Sequence, residues 1–322
     1  MWQYILRRIF VSVIILFIIA LILYLIIRAM PGDYIVNVTA GKKNVTPEMV
    51  AQLRYLYGLD TGVLEGYFKW LGNALRLDFG NSFTYHSPVT QILGERILVS
   101  FSLMLPAFFL ELLIGVPLGI FSATRPYSKT DYSLTTLAFI GLSVPSFFLA
   151  VILKRTLGYG AKIFPPFGLV TATEDYTGFA HIMDYAWHLV LPVTVLAFTS
   201  LGIYMRYSRS SMIEALGEDY IRTARAKGLP ERTVIYSHGL RNALIPIVTL
   251  IGADIPALFG GAIITENLFA IPGIGWMGYQ AMIAGDIPLV MAFNIFLAAL
   301  VLLGNLLADI SYAFVDPRVR LS

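Results

Sequence analysis

Apolar residues run along this chain in six long blocks, at 9–27, 99–124, 132–153, 185–205, 243–265 and 289–314. Polar residues gather between them. Crossing about 30 Å of hydrocarbon takes about 20 mostly apolar residues in a helix, so each block predicts one span. The short alternating segments of a membrane barrel are missing, and helices are the remaining way to satisfy the backbone in lipid. The first block is flanked by Arg7, Arg8 and Arg28. It is too long for a signal-peptide core and no small-residue cleavage site follows, so residues 1–28 are expected to stay as an anchor.

The stretch 29–98 has its own helical pattern. Thr46 is placed as an N-cap, with Pro47 in the first helical position and Glu48 in the first turn. Met49, Val50, Leu53, Leu56 and Tyr57 recur at helical spacing, and Gly58 stands where a C-terminal glycine cap would. A second apolar stretch, 63–77, carries Tyr67, Phe68 and Trp70. Two readings fit: a helical cap on the membrane surface, where aromatics favour the interface, or a docking surface for a soluble partner.

Composition agrees with the pattern. Of 322 residues, 57% are hydrophobic and 13% charged, and the mean hydropathy is +0.73. A soluble domain carries about 25% charged residues, so a soluble enzyme and a disordered chain are both excluded. Cysteine is absent and the four histidines are scattered, which leaves no metal-type spacing. The expected fold class is an all-α integral membrane protein with six transmembrane helices and a helical extracytoplasmic segment after the first.

Lysine and arginine orient the spans. With the N-terminus inside, the inner segments 1–8, 125–131, 206–242 and 314–322 hold 13 of the 23 basic residues, although the outer segments are longer. Both termini are therefore expected in the cytoplasm, with the chain multi-pass in the cytoplasmic membrane. Lys154 and Arg155 fall at the outer end of the third span against this rule, which snorkelling to the headgroups would tolerate.

The longest inner segment is 206–242. Residues 208–227 suit a helix, with Met212, Leu216 and Tyr220 on one stripe, Gly228 to end it and Pro230 to begin the next. This predicts two short helices with a sharp turn, presenting Ala224 and Ala226 beside Arg222, Arg225 and Lys227. By composition alone the segment reads first as a basic structural loop obeying the same charge rule; small residues beside cations would also suit docking in a partner's groove.

Residue identity adds more. DYIRTARAKGL at 219–229, followed by H-x-L-RNALIP at 238–246, resembles the EAA signature of the dipeptide/oligopeptide/nickel family of ABC importer permeases. The general signature has glutamate where Arg222 stands, a departure that this subfamily commonly shares. Arg206–Met212 (R-x-x-R-S-S-M), GAIITENLFAIPGIG at 261–275 and NLLADISYAFVDPRVR at 305–320 are similar to further motifs of that family. So are YILRR at 4–8, PGD at 31–33, and Gly80, Ser82, Pro88 and Val89. The early first span and long first outer segment resemble its B-type subunit.

The resemblance implies a type I ABC importer permease fold over 99–314, followed by a short cytoplasmic tail at 315–322. It also implies one half of a translocation path, completed by a C-type permease, driven by two ABC ATPases and supplied by an extracytoplasmic binding protein. The coupling residues would be Asp219, Tyr220, Arg222, Ala224, Arg225, Ala226, Lys227, Gly228 and Leu229, and the outer motif residues Glu266, Pro272, Gly273 and Gly275. The chain has no G-x-x-x-x-G-K-[ST] loop. ATP and Mg are therefore expected on the partner ATPases, with no cofactor or metal on this chain, no enzyme activity of its own and no nucleic-acid partner. Its surroundings are membrane lipid.

Four acids fall within or at the edge of spans. Asp309 and Glu266 are near span ends, where interfacial water is in reach; Glu111 and Asp254 are near mid-span. A mid-span carboxylate is costly, so these two must face protein or a polar path. They are candidates for the translocation path, meeting a positive group of the solute, or else hydrogen-bonded structural carboxyls. A stand-alone carrier or channel using both as ion or proton sites is the alternative function. Gly115 and Gly119 form a G-x-x-x-G suited to close helix packing. Pro106, Pro145 and Pro192 are expected to break helices locally. Dipeptide, oligopeptide and nickel chelate are not separated by any residue, although peptide is the preferred reading.

Overall fold

The computed structural model describes residues 2–29, 46–56 and 59–315. The motif at 31–33, the cap at Gly58, the side chain of Asp309 and the DPR ending lie outside the described residues. Among those residues every regular element is helical. In order these are α1 (Trp2–Ala29), α2 (Pro47–Leu56), α3 (Val63–Leu75), α4 (Val89–Ala123), α5 (Lys129–Ser143), α6 (Ser146–Gly160), α7 (Phe179–Gly217) and α8 (Asp219–Ala226). Then follow α9 (Glu231–Ala243), α10 (Ile245–Gly260), α11 (Ile263–Phe269), α12 (Ile274–Ala284) and α13 (Ile287–Val315).

Helices α1, α4, α7 and α13 are long and apolar enough to cross a membrane. The bent pairs α5–α6 and α9–α10 bring the number to six if each is one span. The third block is thus two helices meeting at 97°, not one rod. Pro145 explains the break: the residue before a proline is pushed out of the helical region, and Val144 has ψ of 121°. Pro106 and Pro192 lie within continuous helices instead. The fifth block ends early, because Gly261 at φ +73° turns the chain before α11. Block two begins ten residues sooner than its apolar run, at Val89 after Pro88.

Close packing of small residues joins the spans. A Cβ on Gly119 would stand 2.4 Å from the Met205 carbonyl oxygen, and one on Gly141 2.7 Å from that of Phe198. The G-x-x-x-G therefore packs within the chain, against α7. At Glu111–Gly115 α4 widens into a single π-turn.

Helix α3 is docked on the spans rather than loosely laid down. Tyr67, Trp70 and Leu71 share one face of α3 and are buried with Ala20 and Tyr24 of α1 and Met291 of α13. Tyr67 donates to the Phe17 carbonyl at 2.8 Å, and Trp70 stacks on Tyr24 at 5.9 Å. Burying each large side chain of this kind from water contributes about 2–3 kcal/mol. Leu64, Phe68 and Leu75, along the border of that face, remain exposed.

Candidate functional site

Helix α8 packs against the end of α7 and the start of α9. The helix expected through Lys227 breaks at Glu218, whose ψ of 154° is extended. That break resets the helical phase. Met212 is buried as the stripe predicts, but Tyr220 turns outward and Ile221 takes the inner position. Ile221 and Ala224 pack on Val234 in a small core of their own. This corrects one expectation: Ala224 is 5% exposed and faces inward, so of the two alanines only Ala226 is presented. Asp219, Tyr220, Arg222, Arg225, Lys227 and Leu229 are all on the outer surface.

The turn after α8 is built as its residues demand. Gly228 has φ +73° with open space around its missing side chain, and Pro230 caps the next helix. Arg225 reaches across to Glu231 with bonds of 2.6 and 3.2 Å. That guanidinium holds the Glu231 carboxyl below its usual pKa. Both groups are exposed, so solvent screens the pair and it adds little stability.

Where α5 meets α7, Asp131 receives Arg209 Nε at 2.7 Å and Nη2 at 2.8 Å, the Tyr127 N–H at 2.8 Å, and the Ser122 hydroxyl. The sequence reading named Arg209 but missed Asp131, since nothing local marks its pairing. Arg209→Met strands a buried carboxylate and is expected to cost about 3 kcal/mol. It should lower the thermal midpoint of the purified protein, and adding Asp131→Leu should recover most of the loss.

Glu266 overturns its expected access to interfacial water, since it is fully buried. Its Oε1 accepts the Ser100 hydroxyl at 2.6 Å and the Ala262 N–H at 3.1 Å; its Oε2 accepts the Trp276 N–H at 2.7 Å. Ser100 Oγ in turn accepts the Ile274 N–H at 2.8 Å. Glycines make room for this carboxylate. A Cβ on Gly273 would lie 2.4 Å from Ser100 Oγ, and one on Gly275 2.9 Å from the Ile263 nitrogen. The Pro272 carbonyl takes a hydrogen bond from Arg96 at 3.1 Å. The glycine-rich motif is thus a clasp closing α11 and α12 onto α4. Lys154 is held there too, donating to the Leu268 carbonyl instead of snorkelling free.

A further buried carboxylate, Asp286, has no distinguishing mark in the sequence. It accepts the Ser82 hydroxyl at 2.5 Å and the Thr84 N–H at 2.9 Å, so the Gly80–Val89 motif anchors the start of α13.

The mid-span acids lie in one neighbourhood. Tyr204 donates to Asp254 at 2.5 Å, and Ser200 and Asp254 are electrostatic neighbours of Glu111. Glu111 is buried, on the π-turn of α4, while Asp254 is half-buried in the middle of α10. The cluster therefore joins α4, α7 and α10. Tyr204, 1% exposed, is the member that sequence reasoning missed.

Comparison with known proteins follows the same outline. Residues 115–321 match the family described as binding-protein-dependent transport system inner membrane component, and residues 1–104 match its N-terminal family. The chain is 40% identical to the oligopeptide transport system permease protein AppB of Bacillus subtilis, over 99% of this chain and 100% of that protein. It is 35% identical to the dipeptide transport system permease protein DppB of Lactococcus lactis, over the full length of both. A chain of the inward-facing MetNI methionine ABC transporter superposes with a TM-score of 0.53 at 19% identity, covering 72% of this chain and 98% of that one. That likeness speaks for the fold. These matches decide between an importer subunit and a stand-alone carrier. The chain belongs to the family of binding-protein-dependent transport system inner membrane components, the multi-pass permease subunits of ABC importers.

Proposed function

We propose that this chain is the B-type half of the translocation path of an ATP-driven peptide importer. Its partners are a C-type permease, two cytoplasmic ABC ATPases that hold ATP and Mg, and an extracytoplasmic binding protein that delivers the solute. The end bearing α8 and both termini lies in the cytoplasm. The observation that carries this reading is α8 itself. Its inner face is anchored by Ile221 and Ala224, while its outer face stands free with Tyr220, Ala226 and Lys227. A helix held rigidly from behind transmits a push, which a flexible loop would not. Kinship to permeases named for oligopeptides and dipeptides supports peptide over a nickel chelate. The test is uptake of a labelled peptide by vesicles containing the reconstituted complex, with a cysteine at Ala226 crosslinked to the ATPase. Unlabelled peptide should compete and a nickel chelate should not. Uptake without ATP, or a crosslink to no ATPase, defeats the reading.

The Glu111–Asp254–Tyr204 cluster is assigned to the route, meeting the ammonium group of a passing peptide. Losing one charged hydrogen bond is worth about 1.5–3 kcal/mol. Glu111→Gln and Asp254→Asn are therefore each expected to cut uptake about tenfold or more in complexes that assemble normally. Full uptake by both variants removes these acids from the route.

A further inference from the structure

One cleft has been given no role so far. It lies between α5 and α7, near the Asp131–Arg209 pair, and has a volume of about 230 Å³. Phe139 and Leu142 line it from α5, Gly202 and Met205 from α7, with Arg206 and Arg209 on the same α7 wall. Gly202 brings the helices into contact, since a Cβ there would lie 2.6 Å from the Ala138 carbonyl oxygen. The cleft is consequently narrow. Sites for compact solutes begin near 300 Å³, and a slot this size between two membrane helices suits one extended hydrocarbon chain. Phe139 is 52% exposed, with Leu137 and Ile140 exposed on the same helix, so this surface is apolar as a lipid-facing one must be.

The charge is at one end only. Arg209 spends Nε and Nη2 on Asp131, which neutralises it as an ion and leaves Nη1 as a donor. Arg206 is exposed and touches the Tyr207 ring at 5.7 Å, with no carboxylate partner among the described residues. Arg125 and Lys129 stand in the adjoining turn and helix start. An apolar slot ending in an uncompensated cation at the membrane boundary is complementary to an amphiphile with an anionic head. Basic pockets between membrane helices bind such headgroups.

We propose that this cleft binds an anionic phospholipid, with one acyl chain along Phe139 and Leu142 and the phosphate at Arg206, assisted by Arg209 Nη1. The proposal rests on the chain's membrane location alone, so it stands whichever solute the importer carries. The test uses the whole importer in nanodiscs of phosphatidylglycerol and phosphatidylcholine at a fixed ratio. Lipid retained through mild detergent extraction is then measured by mass spectrometry. Retained phosphatidylglycerol is expected to exceed its share of the bilayer, and Arg206→Gln to lower the excess roughly fivefold. Arg232→Gln, on the far side of the α8 turn, should leave it unchanged. A photocrosslinking side chain in place of Phe139 should label lipid. Equal retention by wild type and Arg206→Gln overturns the proposal. So does a crosslink from position 139 to the second permease, which would show that a protein face covers the cleft.

Discussion

Ala226→Trp is expected to leave the importer assembled in the membrane and to abolish ATP-driven uptake, with loss of the transported solute's stimulation of ATP hydrolysis. Ala226 lies on the outer face of α8 beside Tyr220 and Lys227, and it is exposed. An indole there meets no part of this chain, so the fold should not register it. A partner docked on that face must move to admit it. Ala224→Trp is the contrasting variant. Ala224 is 5% exposed against Val234 and Ile221, and overpacking a site of this kind costs about 1–3 kcal/mol. It should loosen α8 itself and reduce uptake through folding, visible as faster proteolysis of the 206–242 segment. Gly228→Val separates the two effects further. Its φ of +73° strains a branched side chain although nothing stands within 4 Å, at a cost of about 1–2 kcal/mol. Wild-type uptake and ATPase stimulation in Ala226→Trp would falsify the docking role of this face.

The second large effect is expected at Glu266. Glu266→Ala removes the acceptor for the Ser100 hydroxyl and for the Ala262 and Trp276 N–H groups. Each buried donor left unsatisfied costs about 1–3 kcal/mol, so the clasp should lose at least about 3 kcal/mol in all. The amount of assembled protein in the membrane should fall several-fold, since a few kcal/mol is a large part of any protein's margin. Glu266→Gln keeps one oxygen acceptor but turns an amide NH₂ toward the other donors, and should fall between. Gly273→Ala should resemble Glu266→Ala, because its Cβ would stand 2.4 Å from Ser100 Oγ and 2.6 Å from the Glu266 carboxylate. Thermal unfolding of the purified chain, followed by size-exclusion chromatography, reads all three. A Glu266→Ala protein with wild-type stability and no transport would move this residue from scaffold to mechanism.

Much of this arrangement was legible in the residues, for local reasons. Bilayer thickness sets a length that any run of 20 apolar residues reveals. Turn chemistry is equally local: Pro47 opens α2, Gly228 sits where the chain turns left-handed, and Pro230 caps the helix that follows. The resemblance of the 219–229 and 238–246 motifs to ABC importer permeases, carried by residue identity, led to the family that the matches across the chain establish.

What required the tertiary structure was pairing and phase. Ser100 and Glu266 are 166 residues apart, Ser82 and Asp286 are 204, and Arg209 and Asp131 are 78. A hydrogen bond between distant residues leaves no periodic trace in either partner's neighbourhood, so Glu266 read as a water-accessible end residue and Asp131 and Asp286 drew no notice. The three prolines look alike in sequence, yet Pro145 alone of them divides its helix; Pro106 and Pro192 are carried within theirs. The outward turn of Tyr220 and the inward place of Ile221 followed from one extended residue at Glu218, which shifted every later position around the helix axis. Sequence alone located the apolar blocks and the turns at glycine and proline, because bilayer length and turn chemistry act over a few residues. Tertiary structure decided which polar groups meet and which faces remain free, because those depend on helices brought together from distant parts of the chain.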